Sequence, residues 1–123
     1  MTNDPRRRVG DAGERLAADY LTKQGYDIVD RNVRRREGEI DLVAIDDSTL
    51  VFVEVKLRRS GRAGTAIQQI SPAKHARLRE LAEAYAADHP DLPSNLRIDV
   101  VAIDLTVSGE VGKLHHVRSA VEN

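Results

Sequence analysis

The spacing of apolar residues along the chain predicts two helices. Between residues 9 and 24 they recur at the spacing of one helix face, and Gly25 stands where a helix would stop. The members of this face are Val9, Gly13, Leu16, Ala17, Tyr20 and Leu21. A second helix begins at Ser71-Pro72, since serine is a favoured N-cap and proline a favoured first helical residue. Its buried face comprises Leu78, Leu81, Ala82 and Tyr85.

Four apolar runs predict strands, at residues 26–33, 39–45, 50–57 and 96–105. The second and third runs are joined by Asp46-Asp47-Ser48-Thr49, whose residues favour a turn, so these strands form an antiparallel hairpin. Residues 106–123 have two interpretations, a weak additional strand or a frayed end. The resulting order, α-β-β-β-α-β, predicts an α/β sandwich whose last strand runs parallel to a neighbouring strand.

The length and composition favour a single domain. The chain has 123 residues, of which 41% are hydrophobic, enough for one core. We expect one domain over residues 1–123, with a core at about 9–105 and a tail at 106–123. The absence of cysteine excludes disulfides and thiolate metal sites, and the aromatic content of 3% argues against stacking on successive bases. No apolar run reaches the roughly 20 residues of a membrane span, so we expect a cytoplasmic protein without a membrane partner.

Arginine is concentrated in three clusters, although the total charge is nearly balanced at 19 basic and 20 acidic residues. The clusters are Arg6 to Arg8, then Arg31 with Arg34, Arg35 and Arg36, and finally Arg58, Arg59 and Arg62. These side chains are either solvated loop residues or contacts for phosphate, which the planar guanidinium binds through two parallel hydrogen bonds.

The hairpin brings two carboxylates together. With a loop of two residues, Asp47 and Ser48, or of four, Asp41 lies directly across from Glu54 and Glu39 lies across from Lys56. A three-residue loop would move one carboxylate to the other face of the sheet. The proposed site therefore depends on the length of this turn.

Opposed carboxylates repel each other, and Glu54 lies within an apolar run where an unpaired charge is costly. A divalent cation bound by Asp41 and Glu54 would offset this cost, since the two side chains are hard oxygen ligands at a spacing of about 4.5–5.5 Å. Lys56, on the same face as Glu54, would orient or deprotonate an attacking water. In the alternative interpretation, Lys56 simply forms an ion pair with Glu54 or Glu39.

Other polar residues also have two interpretations. Glu14 lies at the rim of the first helix's apolar face, where it either leans over the sheet as a water-mediated metal ligand or remains at the surface. Lys74, in the first turn of the second helix, either contacts phosphate or is solvated. Asp99 has a structural role, pairing with Arg97 or a loop arginine. His115 and His116 make a poor metal pair because adjacent residues face opposite ways, and we assign them no function.

A series of short motifs occurs in a fixed order between residues 9 and 105. They are Gly13-Glu14 with Ala17 and Tyr20-Leu21, then Asn32-Val33-Arg34, Gly38-Glu39-Ile40-Asp41-Leu42, Val51-Phe52-Val53-Glu54-Val55-Lys56, Lys74, and Arg97-Ile98-Asp99-Val100-Val101. In these motifs the chain resembles the YraN-like family of small uncharacterised bacterial proteins. That family is grouped with predicted endonucleases distantly similar to archaeal Holliday junction resolvases.

The resemblance implies a restriction-endonuclease-like fold, an αβββαβ core with a mixed central sheet flanked by helices. It also implies an active site of the PD-(D/E)xK type. Matched by position, the aspartate of the motif is Asp41, and its Glu-x-Lys is Glu54 and Lys56. The helical glutamate of resolvase-like members corresponds to Glu14. Ile40 stands where the motif has proline.

We therefore expect an endonuclease that depends on Mg²⁺ or Mn²⁺ and hydrolyses DNA, branched or otherwise structured. In this hypothesis Asp41 and Glu54 bind the metal, Lys56 acts on the water and Glu14 assists. The expected contacts to backbone phosphates are Arg34, Arg35, Arg36, Arg58, Arg59, Arg62 and Lys74. By analogy with resolvases, which make two symmetric cuts, we expect a homodimer. The alternatives are a non-catalytic nucleic-acid-binding or adaptor protein that has kept the fold, and a phosphate hydrolase acting on small ligands.

Overall fold

The computed structural model describes residues 5–59 and 71–119. The elements, in chain order, are α1 (Pro5–Lys23), β1 (Asp27–Arg35), β2 (Gly38–Asp46), β3 (Thr49–Arg59), α2 (Pro72–Asp88), β4 (Asn95–Leu105) and β5 (Val111–Val117). The α/β class and the order of helix, three strands, helix and strand are therefore confirmed. Neither helix is both long and apolar enough to cross a membrane.

The five strands form one mixed sheet in the order β1-β2-β3-β4-β5. The pairs β1/β2, β2/β3 and β4/β5 are antiparallel, whereas β3 and β4 are parallel, as the sequence predicts. The sheet has a hydrophobic core on each face. One core contains Ala17, Ala18 and Leu21 of α1, and the other contains Leu78, Leu81, Ala82 and Tyr85 of α2. The two helices thus flank the sheet on opposite faces.

The hairpin has the predicted register along five pairs, from Asp46 with Thr49 to Leu42 with Val53. Asp47 takes a φ of 54°, a left-handed conformation that aspartate tolerates in tight turns. The ladder ends at Leu42 and Val53, one pair short of Asp41 and Glu54. The expected extension of the register, which would place Asp41 across from Glu54 and Glu39 across from Lys56, is therefore wrong. On the other side of β2, Glu39 pairs with Arg34 of β1.

The alternation of faces in β2 breaks at Asp41. In a regular strand Ile40 and Leu42 would share a face, but Ile40 packs in the core beneath α2 and Leu42 in the core beneath α1. At the same point the Oδ2 atom of Asp41 accepts the backbone N–H of Val55 at 2.7 Å. The carboxylate thus bridges β2 and β3 where their backbones no longer pair.

The ends of some elements differ from the prediction. Helix α1 begins at Pro5, four residues earlier than expected, because proline suits the first helical position and arginine is a good helix former. Leu16 is 38% exposed rather than buried, because the helix turns the stripe of Ala17, Ala18 and Leu21 towards the sheet. Of the two interpretations of the C-terminal residues, the additional strand is found, as β5.

Candidate active site

A cleft of about 240 Å³ lies between the start of β2, the middle of β3 and the first turns of α2. Its lining residues are Gly38, Glu39, Asp41, Glu54, Lys74, Arg77 and Leu81. Gly38 has a φ of 147°, and a Cβ atom there would lie 3.4 Å from Leu81 Cδ1. Space for a side chain is therefore present, and the positive φ is what favours glycine at this position. Ser71 caps α2 by accepting the N–H of Lys74, which fixes Lys74 in the first turn beside the cleft.

Three carboxylates meet at this end of the sheet. Oxygen atoms of Glu14, Glu39 and Asp41 all lie within 4.8 Å of one another. Glu14 comes from α1 and is half-buried, as its predicted position at the rim of the apolar face requires. Glu39 and Asp41 come from β2. The three residues together provide hard oxygen ligands of the type that Mg²⁺ and Mn²⁺ prefer, so they fit a divalent cation.

Glu54 is buried beside this cluster, with 7% of its surface exposed. Its Oε1 atom accepts hydrogen bonds from two ammonium groups, Lys56 Nζ at 3.1 Å and Lys74 Nζ at 2.8 Å. The alternative interpretation of the Glu-x-Lys triplet, an ion pair between Lys56 and Glu54, is thus present in the structure. The two lysines, rather than a divalent metal ion alone, offset the cost of burying this carboxylate.

The pKa values of the site reflect burial first and the neighbouring charges second. Burial raises the pKa of Asp41 to about 7, and repulsion from Glu54 adds to the rise, although the N–H of Val55 opposes it. Burial also raises the pKa of Glu14. Burial lowers the pKa of Lys56. Burial would lower the pKa of Lys74 as well, but its hydrogen bond to Glu54 raises that pKa above the usual value.

The charges of the site are not balanced within this group of side chains. When ionised, the four carboxylates of Glu14, Glu39, Asp41 and Glu54 outnumber the three cations that pair with them, which are Lys56 and Lys74 on Glu54 and Arg34 on Glu39. A divalent cation at Glu14, Glu39 and Asp41 would add positive charge to the cluster and would favour the ionised form of Asp41.

Several of the side chains expected to contact phosphate have partners within the chain. Arg34 pairs with Glu39 at 3.7 Å, and Arg35 pairs with Asp88 at 2.5 Å. Arg58 donates to the carbonyl oxygen of Leu57. Arg36 is exposed between β1 and β2. Arg62 lies outside the described residues, as do the side chains of Arg6, Arg7, Arg8 and Arg59.

Two residues of the site were not predicted. Glu39 was considered only as a partner of Lys56, although its place two residues before Asp41 keeps it within about 7 Å along the strand. Asn32 lies at the register position of Asp41 on β1, between the pairs formed by its two neighbours. It has a φ of 51°, and its side chain hydrogen-bonds to Glu14. Asparagine tolerates this left-handed conformation better than most residues do. An asparagine within a predicted strand is therefore the sequence signal that could have identified this position.

A second polar cluster surrounds Asp99 on the face of the sheet that α1 covers. Asp99 is fully buried, and it accepts hydrogen bonds from Arg97, from His116 at 2.8 Å and from the backbone N–H of Ser119. These donors hold the pKa of Asp99 below its usual value in spite of burial. The predicted pairing of Asp99 with Arg97 is confirmed. His116, for which no function was predicted, connects β5 to this carboxylate.

Comparison with known sequences finds one matching family. The sequence model of Uncharacterised protein family UPF0102 matches residues 13–103. The UPF0102 protein of Roseiflexus castenholzii is 48% identical over 119 residues, which cover 95% of each chain. A UPF0102 protein of Symbiobacterium thermophilum is 52% identical over 98 residues, which cover 80% of this chain and 83% of the relative.

Comparison with solved structures finds a distant similarity. SfsA of Pyrococcus furiosus, in a structure with Ca²⁺, has a TM-score of 0.33 and 18% sequence identity to this chain. The similarity covers 96% of this chain and 65% of SfsA, less than two thirds of its length. A similarity this low supports no argument about the fold or the function of this chain.

Proposed function

This chain belongs to the uncharacterised protein family UPF0102, and on that premise we propose that it is a metal-dependent endonuclease that hydrolyses phosphodiester bonds in DNA. One observation carries the proposal. The cluster of Glu14, Glu39 and Asp41, with oxygens within 4.8 Å of one another, lies beside a buried Glu-x-Lys pair at the break of the hairpin. Acidic metal ligands with a neighbouring lysine suit the metal-assisted hydrolysis of a phosphodiester.

The order of elements also supports the proposal. A helix, three strands, a helix and a further strand that runs parallel to the third make up the restriction-endonuclease-like core that the sequence resemblance implies. In that core the carboxylates of the motif belong to the second and third strands, where Asp41 and Glu54 lie.

The acidic residues would hold the metal ion. Glu14, Glu39 and Asp41 would be its ligands, with Glu54 as the further ligand that the sequence predicts. A bound divalent ion polarises the phosphate and lowers the pKa of a water molecule. Asp41 must lose its proton to bind the ion, and the N–H of Val55 keeps its carboxylate in place as it does so.

Lys56 is the residue suited to act on the attacking water. Its ammonium group is anchored by Glu54 at 3.1 Å, and burial lowers its pKa, so it gives up a proton more readily than a surface lysine. Lys74 holds the same oxygen of Glu54 and maintains the position of this carboxylate when Lys56 changes its charge.

The proposal is tested by cleavage of labelled DNA. The panel comprises a four-way junction, a flap, a nicked duplex and a single strand, each with Mg²⁺, Mn²⁺ or EDTA. The wild type is compared with Asp41→Asn and Lys56→Met, and with Glu37→Gln, an exposed carboxylate outside the acidic cluster. We expect cleavage only with metal, lost in the first two variants and retained in Glu37→Gln.

Two outcomes would contradict the proposal. Binding of DNA without cleavage, equal in all four proteins, would identify the non-catalytic adaptor. Cleavage that is lost in Lys56→Met but persists in EDTA or in Asp41→Asn would show that the acidic cluster is not the active site. A contaminating nuclease is recognised because its activity would not change among the four proteins.

A further inference from the structure

We propose that Arg77 binds a phosphate group of the nucleic-acid backbone next to the metal site and so positions the substrate across α2. This inference rests on the proposed function, because Arg77 would bind the negatively charged substrate that the proposal places in this cleft. Arg77 was not among the residues that the sequence indicated as phosphate contacts.

The position of Arg77 is set by the packing of α2 on the start of β2. It lies three residues after Lys74, and residues at this spacing are neighbours on one face of a helix. Both residues line the cleft with Glu39, Asp41 and Glu54. A Cβ atom built on Gly38 would lie 3.6 Å from Arg77 Cδ, so the stem of the arginine packs beside the glycine. The packed stem directs an otherwise exposed side chain along the rim of the cleft.

The charge of Arg77 is available to a substrate. Lys56 and Lys74 both bind Glu54, Arg34 pairs with Glu39, and Arg35 pairs with Asp88. Among residues 11–58 and 71–119, whose side chains are described, Arg77 has no carboxylate within ion-pair distance. Arg77 therefore differs from Lys74, the other cationic residue that lines the cleft, because Lys74 is already paired with Glu54.

A negatively charged substrate needs a cation that the carboxylates of the site do not already engage. Lys56 and Lys74 are engaged by Glu54, and Arg34 is engaged by Glu39. Arg77 lines the cleft and supplies a positive charge for a phosphodiester. Arginine suits this role because its planar guanidinium offers two parallel hydrogen bonds to one phosphate.

The test is DNA binding measured separately from cleavage. A fluorescently labelled DNA is titrated in Ca²⁺ over a series of salt concentrations, and its integrity is checked on a gel after each titration. The variants are Arg77→Gln and Arg77→Lys. The matched control is Arg118→Gln, which removes the same charge from an exposed arginine bound to Asp46, about 16 Å along β2 from Asp41.

We expect Arg77→Gln to bind about tenfold more weakly and to lower the slope of log affinity against log salt by about 0.9, the value for one lost phosphate contact on duplex DNA. Arg77→Lys keeps the slope but loses part of the affinity, because lysine cannot form two parallel hydrogen bonds. Arg118→Gln should match the wild type. Since Arg77 is exposed, thermal unfolding of its variants should be unchanged.

The outcomes separate this inference from the proposed function. If the wild type cleaves DNA but Arg77→Gln binds like the wild type, the inference about Arg77 is overturned and the nuclease stands. If no DNA is cleaved but Arg77→Gln loses affinity and slope, the phosphate contact stands and catalysis fails. An equal loss in Arg118→Gln would reveal a general effect of charge and overturn the inference. A wild type that binds no DNA overturns both.

Discussion

The Oδ2 atom of Asp41 takes the backbone N–H of Val55 at 2.7 Å, at the point where the β2/β3 ladder ends. A side-chain carboxylate thus replaces a carbonyl oxygen as the acceptor for that strand. Because the same carboxylate belongs to the acidic cluster, the sheet itself sets the position of a proposed metal ligand. The break in the β2/β3 ladder and the proposed metal site therefore involve the same carboxylate.

The raised pKa of Asp41 predicts that stability falls as the pH rises. The folded protein holds this proton up to about pH 7, whereas an unfolded chain releases it near 3.8. Between these values the folded state binds more protons, so the free energy of unfolding decreases with pH, by about 2–4 kcal/mol from this group. Asp41→Asn should remove most of this dependence. Urea unfolding in EDTA at pH 4.5, 6 and 7.5 measures it.

The wild type and Asp41→Asn must be compared at each pH, because other groups also titrate. Burial shifts the pKa of Glu14 in the same direction, whereas the lowered pKa of Asp99 acts in the opposite sense. If the difference in stability between the two proteins did not change between pH 4.5 and 7.5, Asp41 would not titrate near 7.

Glu39→Gln should weaken metal binding by about tenfold, because it removes one of three clustered carboxylates. Mn²⁺ raises the thermal unfolding midpoint of any protein that binds it only when folded, and the concentration needed reports the affinity. Glu37→Gln, two residues away and outside the cluster, is the matched control. Equal responses of the two variants would exclude Glu39 as a ligand.

The same titration should depend on pH. Below about pH 7 the metal must displace a proton from Asp41, so its apparent affinity should drop by up to tenfold for each unit of pH. In Asp41→Asn the affinity should be lower and should vary less with pH. An affinity that does not change between pH 5.5 and 7.5 in the wild type would contradict the assignment of Asp41.

Lys56→Met should reduce cleavage by about 10²–10⁴-fold, the typical contribution of a general base or acid, while metal binding is retained. Lys74→Met should reduce cleavage less, since Lys56 still offsets the charge of Glu54. Single-turnover rates at saturating DNA give the comparison. A larger loss in Lys74→Met than in Lys56→Met would reverse the roles that we assign to these lysines.

Asp99→Asn should destabilise the protein by about 3–5 kcal/mol, because it removes a buried charge that pairs with Arg97 and leaves Asp46 as the one carboxylate that the structure pairs with this arginine. The lowered pKa of Asp99 means that its contribution is present above the unfolded pKa and is lost as the pH falls through the folded value. The variant should therefore lose less stability than the wild type on acidification. Chemical denaturation at pH 7 and pH 3.5 tests this, with Asp19→Asn on the surface of α1 as control.

Much of the fold could be predicted because it is encoded locally. Ser71 and Pro72 mark the start of α2, and the spacing from Leu78 to Tyr85 gives its buried face. Turn-forming residues at Asp47 and Ser48 set the hairpin register, which in turn places Asp41 near Glu54. These signals lie within a few residues of the features that they determine.

The rest of the site depends on contacts between distant parts of the chain. Alternation predicted a continuous ladder through Asp41, but the carboxylate competes for the N–H of Val55 and the ladder ends. Lys74 was expected to face phosphate, whereas its ammonium reaches Glu54, twenty residues earlier in the chain. Neither contact has a local signature. The place of Glu39 in the acidic cluster follows from the same break in β2.

The acidic cluster and the polar cluster around Asp99 differ in how their charges are balanced. Asp99 obtains its donors from Arg97, His116 and the backbone of Ser119, so the attachment of β5 needs no ion from solution. The acidic cluster of Glu14, Glu39 and Asp41 has more carboxylates than cationic partners. The proposed metal ion could therefore leave without loss of the fold, because the network around Asp99 maintains the attachment of β5 independently of the acidic cluster.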